Sequence, residues 1–180
     1  MSLYVGIDYS TFEAHLVAID EESSWPEWYE VVRFSGPASF HRLRVVRTSL
    51  LEQRIFGYDD VLAVGIEDPR ATNPLLRSMI AKLARVQGAI LQAIPASVRV
   101  EPLNAKEWRV AVGLSGNAPK DVVAEWAENE LPRNALGPNP PQDAYDAYAL
   151  ARATQEFVEG RWTRPLKAKK KKATTKGDGG

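Results

Sequence analysis

VLAVGIE, residues 61–67, is apolar without alternation until its last residue. A strand with one solvated face alternates apolar and polar side chains; one without alternation needs cover on both sides, as a parallel strand inside a sheet does. The run therefore demands a sheet with helices on both faces. LYVGIDYS (3–10) and AHLVAID (14–20) flank a polar turn and read as a hairpin, and EWYEVVRF (27–34) follows Ser23, Ser24 and Pro26 as a third strand. Phe40, Leu43, Val46, Leu50 and Leu51 then recur at helical spacing. Residues 74–93 carry the longest helical pattern, with Leu75, Leu76, Met79, Ile80, Leu83, Val86, Gln87 and Ile90 on its expected buried side. SVRVEP (97–102) reads as a fifth strand ended by Pro102. Asn104 is placed to cap a short helix over 105–112, Pro119 opens another over 119–130, and a last helix covers 142–158. The order βββ-α-β-α-β-α-α predicts an α/β fold with one mixed sheet between helices.

With 180 residues, 44% of them apolar, the chain can bury a sizeable core in one domain. It has no cysteine, which excludes disulfides and thiolate metal sites. No apolar run approaches the roughly 18 residues of a membrane span, and no targeting peptide is evident, so the expectation is a soluble, cytoplasmic protein with no membrane partner. The two histidines, His15 and His41, match no zinc-ligand spacing.

A net charge of zero conceals a division. Residues 161–180 hold eight Lys/Arg against one Asp, while residues 1–160 hold 15 against 22 Asp/Glu. The chain thus divides into a folded domain, 1–160, and a basic tail, 161–180, with little to bury and an expected disordered state. Lys169, Lys170, Lys171 and Lys172 form a run suited either to solubility or to a polyanion, whose counterions such a run would release.

Four acidic residues, at three places in the chain, interrupt apolar runs. Asp8 ends the first strand after Val5-Gly6-Ile7, Glu67 ends the fourth after Val64-Gly65-Ile66, and Asp143 and Asp146 stand three apart on the last helix, hence on one side of it. If the first and fourth strands are neighbours, four carboxylates converge. Each has an ordinary reading too: Asp8 as a turn residue, Glu67 as a loop acid no better than Asp68, Asp143 and Asp146 as first-turn acids favoured by the helix dipole. A converging set repels itself, and hard divalent cations with oxygen ligands relieve that repulsion. Two such ions about 3.5–4 Å apart support phosphodiester hydrolysis.

GID near the N-terminus, an apolar strand ending in Glu, and PQDAYDAYALA near the C-terminus resemble the RuvC-type Holliday junction resolvases, of the RNase H and retroviral-integrase superfamily. The likeness runs through most of residues 3–158. It implies an RNase H-like mixed five-stranded sheet, three antiparallel strands followed by two parallel ones. It also implies a homodimeric endonuclease that nicks branched DNA (four-way junctions, with flaps and forks as further substrates), using two Mg²⁺ ions per site, replaceable by Mn²⁺. Asp8, Glu67, Asp143 and Asp146 carry over as metal ligands. KEWRVAVGLSGNAPKDVV (106–123) is similar to the segment that places cations near the scissile phosphate: Lys120, and either Lys106 or Arg109. KLARVQGAI (82–90) is similar to a helix at the family's dimer interface region. The chain departs from the pattern at Arg70, where some cellular members carry a base-stacking aromatic, and in its basic tail; both suit DNA contact of a less selective kind, as in phage-borne members in a bacterial cell.

Three other functions compete with this one. RNase H-like cleavage of RNA–DNA hybrids needs the same fold and metals. A non-catalytic module gripping branched DNA is the second. VGIDYSTFEAHLVAID also resembles the phosphate-binding hairpin of actin-like ATPases, but that fold needs two such domains and a Gly-rich adenosine motif missing here.

Overall fold

The computed structural model describes residues 2–34, 60–69 and 77–164. The expected helix around Phe40–Leu51, Arg70, and Lys169–Lys172 lie outside the described residues. Strands β1 (Leu3–Tyr9), β2 (Glu13–Asp20) and β3 (Pro26–Arg33) form an antiparallel meander, and β4 (Val61–Glu67) and β5 (Arg99–Leu103) add in parallel. The sheet order is β3-β2-β1-β4-β5. Helix α1 (Arg77–Leu91) lies between β4 and β5 in sequence, followed by α2 (Ala105–Ala111), α3 (Lys120–Glu130) and α4 (Gln142–Val158).

The two-residue period of β1 sorts its side chains. Leu3, Val5 and Ile7 join Val64, Ile66 and the α1 residues Val86, Ala89 and Ile90 in one core. Tyr4 faces the other way, into a core with Ala144, Ala147, Tyr148 and Ala151 of α4. Gly6 shares that second face, where a Cβ would stand 2.0 Å from the Ala147 carbonyl oxygen and 2.4 Å from the Ala151 nitrogen. Its partner in the β1–β4 register is Gly65, whose Cβ would meet Thr154 Oγ1 at 1.9 Å. Two adjacent strands without side chains at this level let the α4 backbone rest directly on the sheet.

Helix α4 is buried on nearly every side, because α3 and the core around Trp108 of α2 cover the face turned from the sheet. Its far end is pinned by the buried Gln155, which donates to the Glu21 carbonyl (2.7 Å) and accepts from Ser24 Oγ (2.8 Å) and Arg152 Nη1 (2.7 Å). At the start of α2, Asn104 and Glu107 form the expected cap: the Asn104 side chain accepts from the Lys106 and Glu107 amides, and Glu107 accepts from the Asn104 amide.

Two expectations need correction. Pro102 does not end β5 but sits within it, paired with Ile66. β5 is an edge strand, and the Pro102 carbonyl accepts from Arg164 at 2.7 Å, so its missing N–H faces away from β4. Helix α1 ends at Leu91 rather than at 93, and among its described residues only Val86, Ala89 and Ile90 are buried; Met79 is 46% exposed, and Leu75 and Leu76 lie outside the described residues. Residues 161–164, where the basic segment begins, lie against the strands and helices: Trp162 is tilted against Phe157, with ring centroids 5.9 Å apart, and Arg164 reaches Glu101, Glu107 and Pro102.

Candidate active site

Because β1 and β4 are parallel neighbours, with Ile7 opposite Ile66, their C-terminal ends lie side by side. Asp8 is two residues beyond Gly6 and Glu67 two beyond Gly65, so both point to the α4 face. That alternation selects Glu67 over Asp68, whose amide instead donates to the Leu103 carbonyl at the end of β5. Asp143 and Asp146 occupy the first two turns of α4, directly above.

The structure brings the predicted acids together. One carboxylate oxygen from each of Asp8, Asp143 and Asp146 lies within 4.8 Å of the others. Glu67 adjoins Asp8, close enough that each carboxyl group shifts the other's pKa. Asp146 is buried and accepts from Gln142 Nε2 at 3.0 Å. The Lys120 ammonium, from the first residue of α3, stands 3.4 Å from Asp143 Oδ1 and 3.6 Å from Asp146 Oδ2.

Electrostatics follow from this crowding. Burial, then the charges of Glu67, Asp146 and Asp143, push Asp8 well above the usual carboxylate range, with Lys120 opposing. Burial and Asp146 raise Glu67, against Arg109 and Lys120. Burial pulls the Lys120 ammonium down, but Asp146, Asp143 and Asp8 outweigh it and hold the pKa above its ordinary value. An all-oxygen donor set that holds its own protons this tightly suits hard divalent cations, which would replace those protons.

Of the two alternatives on α2, Arg109 is the residue whose charge reaches Glu67. Its guanidinium lies 4.5 Å over the ring of Trp108, a buried anchor in the core beside α4. Lys106 is exposed, its Cβ beside Gly116 in the loop after α2.

Several neighbours were not expected from sequence. Gln87 Nε2 and Tyr9 Oη both donate to the Glu67 carbonyl, at 3.1 and 3.2 Å, and fix the end of β4. Burial, then Glu67, Asp68 and Asp8, raise the Tyr9 phenol. His15 stands opposite Asp8 in the β1–β2 register, with Glu13 and Asp143 around its Nε2. The signal for His15 lay in the hairpin: a short turn at 10–12 pairs residue 8 with residue 15.

No protein-family model and no curated protein sequence matches the chain. Solved structures do. The chain has the RNase H-like architecture, a mixed five-stranded sheet covered by helices as the sequence predicted. Within that class it is similar to the Thermus thermophilus RuvC structure, with a TM-score of 0.69 and 23% identity over 88% of this chain and 96% of that one. It is also similar to T. thermophilus RuvC in complex with a Holliday junction substrate, with a TM-score of 0.63 and 21% identity over the same shares. The fold is the RuvC fold. Among the described residues, no helix is long and apolar enough to cross a membrane.

Proposed function

We propose that this chain is a divalent-metal-dependent endonuclease that cuts branched DNA, with the four-way junction as its main substrate. The observation that carries the reading is the meeting of Asp8, Asp143 and Asp146 within 4.8 Å, with Glu67 against Asp8, on a RuvC fold. One of the similar structures holds a Holliday junction, which supports the substrate class.

Asp8, Glu67, Asp143 and Asp146 would hold two Mg²⁺ ions, or Mn²⁺ in their place. Bound there, the ions supply activation of water and neutralisation of the leaving oxygen. Asp8, central to the cluster, would take part in holding both ions, with Glu67, Asp143 and Asp146 completing the donor set. Lys120 orients Asp143 and Asp146 and adds positive charge where the phosphate gains negative charge. Water adds to phosphorus, the bond to the 3′ oxygen breaks and takes up a proton, and the nick carries a 5′-phosphate and a 3′-hydroxyl. Arg109 steadies Glu67, and Lys106, Arg70 and Lys169–Lys172 contribute phosphate contacts. A homodimer would place two such centres on opposite strands of one junction.

The test compares a mobile junction, a flap, a linear duplex and an RNA–DNA hybrid in Mg²⁺, with products mapped on both strands. Paired nicks in the junction are expected, and Asp8→Asn and Asp146→Asn should abolish cleavage while junction binding persists. Full cleavage by both variants rejects the site; preference for the hybrid makes the chain an RNase H-like enzyme; binding without cleavage makes it a DNA-binding module.

A further inference from the structure

Beside the nuclease acids lies a second cluster of different chemistry. His15 is 4% exposed, and its two ring nitrogens face different surroundings. Nδ1 is 2.8 Å from the Tyr29 hydroxyl. Nε2 is buried with no hydrogen-bond partner, although Glu13 Oε1 lies 3.5 Å away and Asp143 Oδ2 4.0 Å away. Ligand atoms of Glu13, His15 and Asp143 all fall within 4.8 Å of one another.

We propose that Glu13, His15 and Asp143 form a binding site for a transition-metal ion such as Zn²⁺, sharing Asp143 with the nuclease centre. Nε2 is aimed at both carboxylates yet hydrogen-bonds to neither. Two ligands each about 2.0–2.2 Å from one ion stand at most about 4.4 Å apart, and both Nε2 separations fall inside that limit. With its proton on Nδ1 the imidazole donates to Tyr29 Oη and turns the Nε2 lone pair toward the carboxylates, the arrangement metal-bound histidines use. One nitrogen and two oxygens select a borderline ion over Mg²⁺, and three protein ligands leave a position open.

Asp143 would be divided between two centres, Oδ1 toward Lys120 and Oδ2 toward His15. Where the nuclease reading holds, an ion at His15 would draw Asp143 from the catalytic acids and slow cleavage.

The test is isothermal titration of the full chain with Zn²⁺ in excess Mg²⁺, which occupies the oxygen-only sites. One Zn²⁺ is expected to bind to the wild type and equally to Asp8→Asn. His15→Asn should weaken it at least tenfold, and Glu13→Gln, on the half-buried strand end and safer for folding, by about tenfold. No Zn²⁺ binding, or binding that survives both variants, overturns the proposal, as does binding lost in Asp8→Asn. These outcomes are read without DNA, so they stand apart from the success or failure of the nuclease reading.

Discussion

Gly6 of β1 lies directly beneath the Ala147 carbonyl of α4, with 2.0 Å between that oxygen and the place a Cβ would occupy. The obstacle is backbone, which cannot rotate away. Gly6→Ala is expected to lift α4 from the sheet and to cost at least the ~1–3 kcal/mol of an overpacked core. Gly65→Ala meets Thr154 Oγ1 first, and Thr154→Ala should recover part of its loss. Denaturant melts of the three variants, alone and paired, check this; additive losses for Gly65→Ala and Thr154→Ala would show that the contact is not what limits the site.

Stability should depend on pH and Mg²⁺ together. Asp8 and Glu67 have raised folded-state pKa values, chiefly through burial, so the folded chain holds protons that the unfolded chain releases near the ordinary range of about 4. Below that range their contribution is fully present; it is lost as pH rises toward the raised folded values. If Mg²⁺ takes the place of those protons, the rise in Tm on adding it should be larger at about pH 8 than at about pH 5.5. In Asp8→Asn the difference should shrink. An equal Mg²⁺ effect at both pH values would contradict the metal assignment.

The nearby cations should separate by kinetics. Lys120 touches two acids, and Lys120→Ala is expected to lower single-turnover cleavage by roughly 10²-fold. Arg109→Ala, by releasing Glu67, should lower the rate with little change in junction affinity. Lys106→Ala should act the other way, on affinity. Equal rate losses for Arg109→Ala and Lys106→Ala would undo the distinction.

Much of this was legible in the chain. VLAVGIE showed its lack of alternation, and the meander and α4 followed from periodicity. The four acids were found because each interrupts an apolar run at an element end. What periodicity could not show is what covers a helix: Met79 keeps the α1 spacing yet stays exposed, since only the last turns of that helix meet Val64 and Ile66. His15 escaped because ligand spacing was sought along the chain, whereas a hairpin sets its neighbours across strands. Gly6 and Gly65 stood in plain view before each acid, but their role depends on a helix more than 80 residues away.

The basic tail gives a prediction in salt. Replacing Lys169–Lys172 with glutamine should flatten the slope of log affinity against log salt by about 3 to 4, if each lysine releases one counterion. Cleavage of bound junction should stay unchanged. An unaltered slope would leave the run as a solubility feature.

Gln155 sits nine residues beyond Asp146, about 13 Å along the α4 axis. Its bonds to Glu21 and Ser24 are made at the β2–β3 turn, at the opposite end of the sheet from Asp8. They act as a stop against sliding, because a helix resting on glycines and alanines has few side chains to key its position lengthwise. The placement of the acids at one end of this molecule is therefore set from the other, and an amide at the β2–β3 turn keeps two carboxylates from drifting along their track.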